Sequence, residues 1–233
     1  MDIRIPDVTP LGIPVTIIGI WMSGGVDSTL MCYLLAKKIK EQNLSVKIQP
    51  VSVDNKRPFA YIAGTVRQKI EELLDCSDIF LEHLFYTPKE NESLWDQKEF
   101  KQQFLDRNYD NFKNDRMQVL YTGTTLNPPQ SVQKTFNYGI LPDIEAIRGE
   151  NVPKIIEKYS VHEVENMTKE FMEIRPFLEI NKQGIAQLYK DNNLLDTLFP
   201  LTRSCEDTTP GVVHGHCGSC WWCEERKWGF GTL

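Results

Sequence analysis

The sequence predicts a doubly wound α/β fold, a mainly parallel sheet with helices on both faces, with a C-terminal four-cysteine zinc-binding lobe attached. Three observations lead there. Apolar, β-branched runs alternate with segments of helical period through residue 123. Glycines and hydroxyl residues fill the junction between the first run and the first helical segment. Four of the six cysteines crowd into residues 205–223. Alternating strands and helices imply crossover connections and a parallel sheet.

The elements follow in order. The run PVTIIGIWM at residues 14–22 reads as a buried strand, apolar throughout rather than alternating. Residues 28–41 have helical period, with Leu30, Leu34, Leu35 and Ile39 on one face. VKIQPVSVD at 46–54 is a second strand. YIAGTVRQKIEELL at 61–74 is a second helix, with Ile62, Val66, Ile70 and the Leu73/Leu74 pair at helical spacing. DIFLEHLFY at 78–86 is a third strand, residues 94–112 a long helix, and MQVLYTG at 117–123 a fourth strand. Residues 122–152 then break the rhythm with Thr, Asn, Pro and Gly. A loop of that length beginning where a parallel strand ends is a place for a ligand. VPKIIEKYS and the apolar EIRPFLEI follow without an assigned element, and KQGIAQLYKDN at 182–192 is a helix. The expected division is a main domain over 1–200 and a metal lobe over 201–233.

Composition narrows the function classes. Of 233 residues, 41% are hydrophobic and 25% charged, ordinary for a globular protein. The net charge of −6 argues against an extended nucleic-acid surface, which needs clustered Lys and Arg. No run is long enough to cross a bilayer, and MDIRIPDVTP lacks the features of a secretory signal. The expected location is cytoplasmic, with no membrane partner.

The junction Ser23-Gly24-Gly25-Val26-Asp27-Ser28 carries the clearest chemistry. Glycines let a backbone approach a ligand closely. A helix N-terminus offers free N–H groups and a positive dipole end to an anion. Ser23, Ser28 and Thr29 add hydroxyl donors. Asp27 fits an anion site only if a cation accompanies the anion, and a Mg²⁺ shared with a polyphosphate satisfies both. The candidate cofactor-binding set is therefore Met22, Ser23, Gly24, Gly25, Val26, Asp27, Ser28 and Thr29. No Lys follows in the Walker position. The competing reading is a tight turn capped by Ser or Asp.

Cys205, Cys217, Cys220 and Cys223 have the spacing C-x11-C-x2-C-x2-C. Such thiols in turn-rich sequence can converge on one tetrahedral Zn²⁺. A ferredoxin-type iron–sulfur run, a redox dithiol, and replacement of Cys205 by His214 or His216 are the alternatives. Cys32 and Cys76 are expected in helices as small core residues.

The hexapeptide SGGVDS after an apolar strand resembles the PP-loop ATP pyrophosphatases. Combined with the downstream SC…CGSCWWCEER, the chain is similar to the 7-cyano-7-deazaguanine synthase family. The resemblance implies ATP cleavage between the α and β phosphates, with Asp27, Ser28 and Lys182 as catalytic residues. It implies that Gly123 joins the ATP site, Lys182 faces phosphate, and Arg226 has a ligand-binding role. An exposed Lys182 in the first turn of a helix is the plainer alternative, as is simple packing for Arg226. The implied reaction turns 7-carboxy-7-deazaguanine and ammonia into 7-cyano-7-deazaguanine with ATP, Mg²⁺ and a structural Zn²⁺, in queuosine-type biosynthesis. A homodimer is compatible with it.

The pocket segments differ from the family pattern. VSVDNKRPFAY keeps Asp54 and Arg57 in approximate register with a family stretch of type Asp-Tyr-Gly-Gln-Arg-His, and Asn127 follows Gly123 without the usual acidic residue. Phe59, Phe136 and Tyr138 are candidates to stack on a heterocycle or to pack. Two other functions stay open: a diverged PP-loop enzyme adenylating another carboxylate, a protein terminus or a tRNA base, and a non-catalytic, zinc-stabilised nucleotide-binding module.

Overall fold

The first apolar run becomes strand β1 (Ile17–Trp21), and its neighbours in the sheet follow from it. The computed structural model describes residues 1–9, 12–53, 59–86, 117–137, 157–164, 167–205 and 215–233. The chain runs from β1 to helix α1 (Val26–Glu41), β2 (Lys47–Val53), α2 (Phe59–Leu74), a 3₁₀ turn at Ser77–Ile79 and β3 (Leu84–Tyr86). It continues through β4 (Val119–Tyr121), a short α3 (Gln130–Gln133), β5 (Glu157–Val164) and β6 (Met167–Ile174). Helix α4 (Lys182–Asp191), a 3₁₀ turn at Phe199–Leu201 and α5 (Trp221–Phe230) complete it.

The sheet order is β3-β2-β1-β4-β6-β5. Neighbours from β3 to β6 are parallel, and β5 is antiparallel to β6. The fold is thus α/β with a mainly parallel sheet, as the alternation predicts. The helix predicted over 94–112 lies outside the described residues. Chain order reverses at β1, which has β2 on one side and β4 on the other. Ligands of open parallel sheets bind beyond the strand ends at that reversal.

Burial explains these elements. Ile18 and Ile20 on β1 and Val119 and Tyr121 on β4 have no exposed surface. Helix α1 packs against both α2 and α4. Leu30, Leu35 and Ile39 are buried as predicted, but so are Met31, Cys32, Tyr33 and Ala36, because α1 has neighbours on several sides. On α2, Ile62, Val66 and Ile70 are buried while Leu73 is exposed. Pro50 lies within β2, where it lacks an amide donor. It is tolerated because β3 joins β2 only from Val51 onward, after an isolated bridge at Ile48.

Several expectations need correction. The third strand covers only Leu84–Tyr86, and Ser77–Ile79 is a 3₁₀ turn. Cys76 is buried in the turn after α2 rather than in a helix. Antiparallel strands β5 (Glu157–Val164) and β6 (Met167–Ile174) form where the sequence suggests no element, and the last cysteines lead into α5, a helix their turn-rich sequence does not suggest.

A buried histidine ties β2 to the end of β1. Ser52 Oγ lies 2.6 Å from the Met22 carbonyl and 2.8 Å from His83 Nε2. The serine proton goes to the carbonyl, which leaves Nε2–H as donor to Ser52. Burial, with Arg67 adding to it, pushes the imidazole down from 6.5 to about 4. Between those values the unfolded chain holds more protons, so stability falls as pH drops through 6.5 toward 4. Between about pH 7 and about pH 5, urea unfolding of the wild type should lose about 2 kcal/mol more than His83→Gln.

Candidate functional site

The loop after β1 is shaped by what cannot fit there. Gly24 has φ +74°, and a Cβ on it would lie 2.7 Å from Ile62 and 3.0 Å from the Ala63 nitrogen of α2. A side chain is excluded by conformation and by space. The Gly24 carbonyl accepts the Arg203 amide at 2.9 Å, which fixes the loop from the opposite end of the sequence. Ser23 and Ser28 hydroxyls lie 3.2 Å apart, and Ser23 Oγ accepts the Gly25 amide at 3.3 Å.

Gly25 is the N-cap of α1, and no side chain caps the helix. The Ser/Asp-capped turn is therefore not what forms. The helix start instead presents its amides and the positive end of its dipole at the sheet's reversal. The loop after β4 reaches the same point. A Cβ on Gly123 would fall 2.9 Å from the Ser28 nitrogen. Val26, Ser28 and Thr29 are buried, as is Met22, whose amide donates to the Val51 carbonyl.

Lys182 comes to this site from α4. Asn181 caps that helix, accepting the Gln183 amide at 3.0 Å and the Gly184 amide at 3.2 Å. Lys182 is only 3% exposed, so the solvated alternative does not hold. Its ammonium pairs with Asp27 and lies 3.6 Å from Glu225 Oε2. The remaining Asp27 oxygen, Oδ1, is buried without a hydrogen-bond partner. A hard cation suits such an oxygen, so the chemistry of the site fits Mg²⁺.

The four cysteines converge. Their sulfurs all lie within 4.8 Å of one another, with Cys217–Cys223 at 3.9 Å and Cys205–Cys220 at 4.0 Å. A zinc tetrahedron with bonds of about 2.3 Å has edges of about 3.8 Å, so the spacing fits one four-coordinate ion. An iron–sulfur cube places several atoms between its cysteines and needs a wider set. Burial raises the Cys217 thiol, but amide donation from Ser219 and Cys220 together with the Cys205 side chain brings it below its ordinary value. The Cys220 thiol and burial push Cys223 upward. His216 accepts the Ser204 amide at 3.4 Å and is no member of the sulfur group. His214 lies outside the described residues.

Two residues with large roles carried little signal. Glu225 is fully buried beside Lys182, though EERK looks like a solvated helical face. Arg203 is buried and donates from Nε to the Gly215 carbonyl at 2.9 Å. The Cys-x-x-Arg spacing marked Arg226, which is 1% exposed. It donates to Thr202 Oγ1 at 2.8 Å and to the Phe199 carbonyl at 3.0 Å, with its guanidinium 4.0 Å from the Phe199 ring centre. Burial pushes it down to about 10. These contacts make it a clamp between α5 and residues 199–204. Arg226→Leu should cost about 3 kcal/mol in urea unfolding, and Arg226→Lys should not restore it, since an ammonium lacks the fork.

Phe136 is buried edge-on against Trp221 at 5.7 Å, a packing role. The neighbouring Asn137 amide donates to Glu224 at 2.9 Å. Phe59 starts α2, 5.8 Å from the Arg203 guanidinium. Asn127 is half-buried in the loop after β4. Asp54, Arg57 and Tyr138 lie outside the described residues.

Among the described residues no helix is long and apolar enough to cross a membrane. No protein-family model matches the sequence, and no curated protein does. Solved structures are similar at low identity, two of them as follows. The U34-tRNA thiolase NcsA of Methanococcus maripaludis, with its 4Fe-4S cluster, is 14% identical over 93% of this chain and 70% of its own, with a TM-score of 0.44. The NAD+ synthetase of Burkholderia pseudomallei is 10% identical over 94% of this chain and 75% of its own, with a TM-score of 0.39. Likenesses of that size bear on neither substrate nor metal.

Proposed function

We propose that the chain is a PP-loop ATP pyrophosphatase that adenylates a carboxylate oxygen. The observation that carries this reading is the uncapped N-terminus of α1 behind Gly24 and Gly25, with Asp27 and the buried Lys182 beside it. In this reading the first-turn amides of α1 and the Gly123 backbone face the β and γ phosphates. Lys182 balances charge on the departing pyrophosphate, and Ser28 donates to it. Asp27 holds Mg²⁺, which when bound neutralises phosphate charge. Cys205, Cys217, Cys220 and Cys223 hold a structural Zn²⁺.

The acceptor in this proposal is 7-carboxy-7-deazaguanine, on the strength of the paired loop and cysteine motifs in the sequence. A carboxylate is a poor electrophile because oxide leaves badly. Its oxygen attacks the α phosphorus, the bond to the β phosphate breaks, and pyrophosphate leaves. Ammonia then attacks the acyl carbon, and AMP departs with the bonding pair, leaving an amide after proton loss. The amide oxygen attacks the α phosphorus of a second ATP and expels pyrophosphate; cleavage of the C–O bond, with AMP taking the bonding pair, and loss of two protons from nitrogen then give the nitrile. The chain supplies positioning and charge balance.

Mass spectrometry of a reaction with 7-carboxy-7-deazaguanine, ATP, Mg²⁺ and ammonium tests it. Amide, nitrile, AMP and pyrophosphate are expected. No AMP from folded, zinc-loaded protein would eliminate this acceptor, and AMP with a different carboxylate alone would reassign it. Failure to bind ATP at all would leave the non-catalytic module.

A further inference from the structure

Lys182 touches two carboxylates, and only one belongs to the nucleotide loop. Asp27 lies on α1, whereas Glu225 lies on α5, the helix that carries Cys223. One turn beyond Glu225, a Cβ on Gly229 would fall 2.5 Å from Lys182 Cβ and 2.9 Å from the Lys182 carbonyl oxygen. Helix α5 therefore lies directly against the first residue of α4, with no side chain between them. Lys182 is held in a narrow slot with two carboxylates within 4 Å of its ammonium. The Oδ1 of Asp27, buried without a hydrogen-bond partner, is the oxygen in this slot that a hard cation suits.

We infer that Glu225 is a positioning residue that takes over the Lys182 ammonium when Asp27 turns to the divalent cation accompanying ATP. The inference rests on the nucleotide reading proposed above. While Lys182 sits on Asp27, it neutralises the carboxylate a cation needs. A movement of roughly 1 Å brings its Nζ from 3.6 Å into hydrogen-bond range of Glu225. The lysine then stays charged and beside the phosphates, and Asp27 is released. Without the Glu225 charge, Asp27 is the lysine's remaining carboxylate seat in the slot. The ammonium stays there and opposes the cation. Because Glu225 is carried by the metal-anchored helix, this also gives the cysteine lobe a part in nucleotide binding.

A double-mutant cycle read by calorimetry tests this on the full, zinc-loaded chain. Mg·ATP dissociation constants are measured for the wild type, Glu225→Gln, Lys182→Met and the double variant. Glu225→Gln should weaken Mg·ATP binding about tenfold when Lys182 is present and less than about twofold in the Lys182→Met background. Equal losses in both backgrounds, or none in either, overturn the inference and leave the nucleotide reading standing. A wild type that does not bind Mg·ATP removes both. Should Glu225→Gln fail to fold, a wild-type crystal structure with Mg²⁺ and a non-hydrolysable ATP analogue decides. Lys182 bonded to Glu225 and away from Asp27 is expected; Lys182 still on Asp27 refutes the handover.

Discussion

Asp27→Asn is expected to lower AMP formation by about 10³-fold or more and to weaken Mg·ATP binding while the chain stays folded. The substitution keeps size and shape but removes the charge that a cation needs. Lys182 does not become an orphan, because Glu225 remains 3.6 Å away. The stability cost should therefore fall below the roughly 3–5 kcal/mol typical of stranding one partner of a buried ion pair. Turnover with 7-carboxy-7-deazaguanine, Mg·ATP calorimetry and urea unfolding separate the effects. Unchanged ATP affinity and AMP release in the asparagine variant would count decisively against a cation-assisted phosphate site in this loop.

On the zinc reading proposed above, chelation of the ion, or Cys223→Ser, should produce the largest loss of stability. Cys223 is fully buried and lies in the first turn of α5. Without an ion, four thiols crowded within 4.8 Å are held only by weak contacts such as the Cys220 amide on Cys217 Sγ at 3.3 Å. Structural zinc contributes about 10 kcal/mol or more in small peptides that have little else. Here α5 keeps Arg226 and the stacking of Phe230 on Phe199 at 4.4 Å. A loss of about 3–5 kcal/mol is accordingly expected, enough to lower the melting midpoint by several degrees or more. Elemental analysis should give one zinc per chain, and a chelator should reproduce the variant's melting curve. Iron with acid-labile sulfide in place of zinc would overturn the single-ion assignment.

The fold and the site differ in how far the sequence revealed them. The buried strands β1 and β2 and the helices α1, α2 and α4 carry strong, regular apolar patterns. The loop at 23–28 was legible because its glycines meet a requirement that is local. The four cysteines were legible because thiol spacing carries chemistry directly. Glu225 was not legible, since its burial comes from a contact with Lys182 that no local pattern encodes. Strand β5 and its partner read EKYSVHEV and MTKEFMEI, whose frequent charges hide a strand period. Helix α5 was obscured by cysteine, tryptophan and glycine. Its ends are nonetheless well defined, with Cys220 before it and Gly231 at φ +78° after it.

The distance along the chain between Asp27 and Glu225 also bears on how the protein is made. The glycine loop leaves the ribosome well before its second carboxylate, because most of this sequence lies between Asp27 and Glu225. Contacts so remote in sequence are slow to close and come after local helices have formed. The cluster of Asp27, Lys182 and Glu225 is thus among the last features to mature, and a nascent chain carrying the glycine loop alone lacks two of its three charged groups.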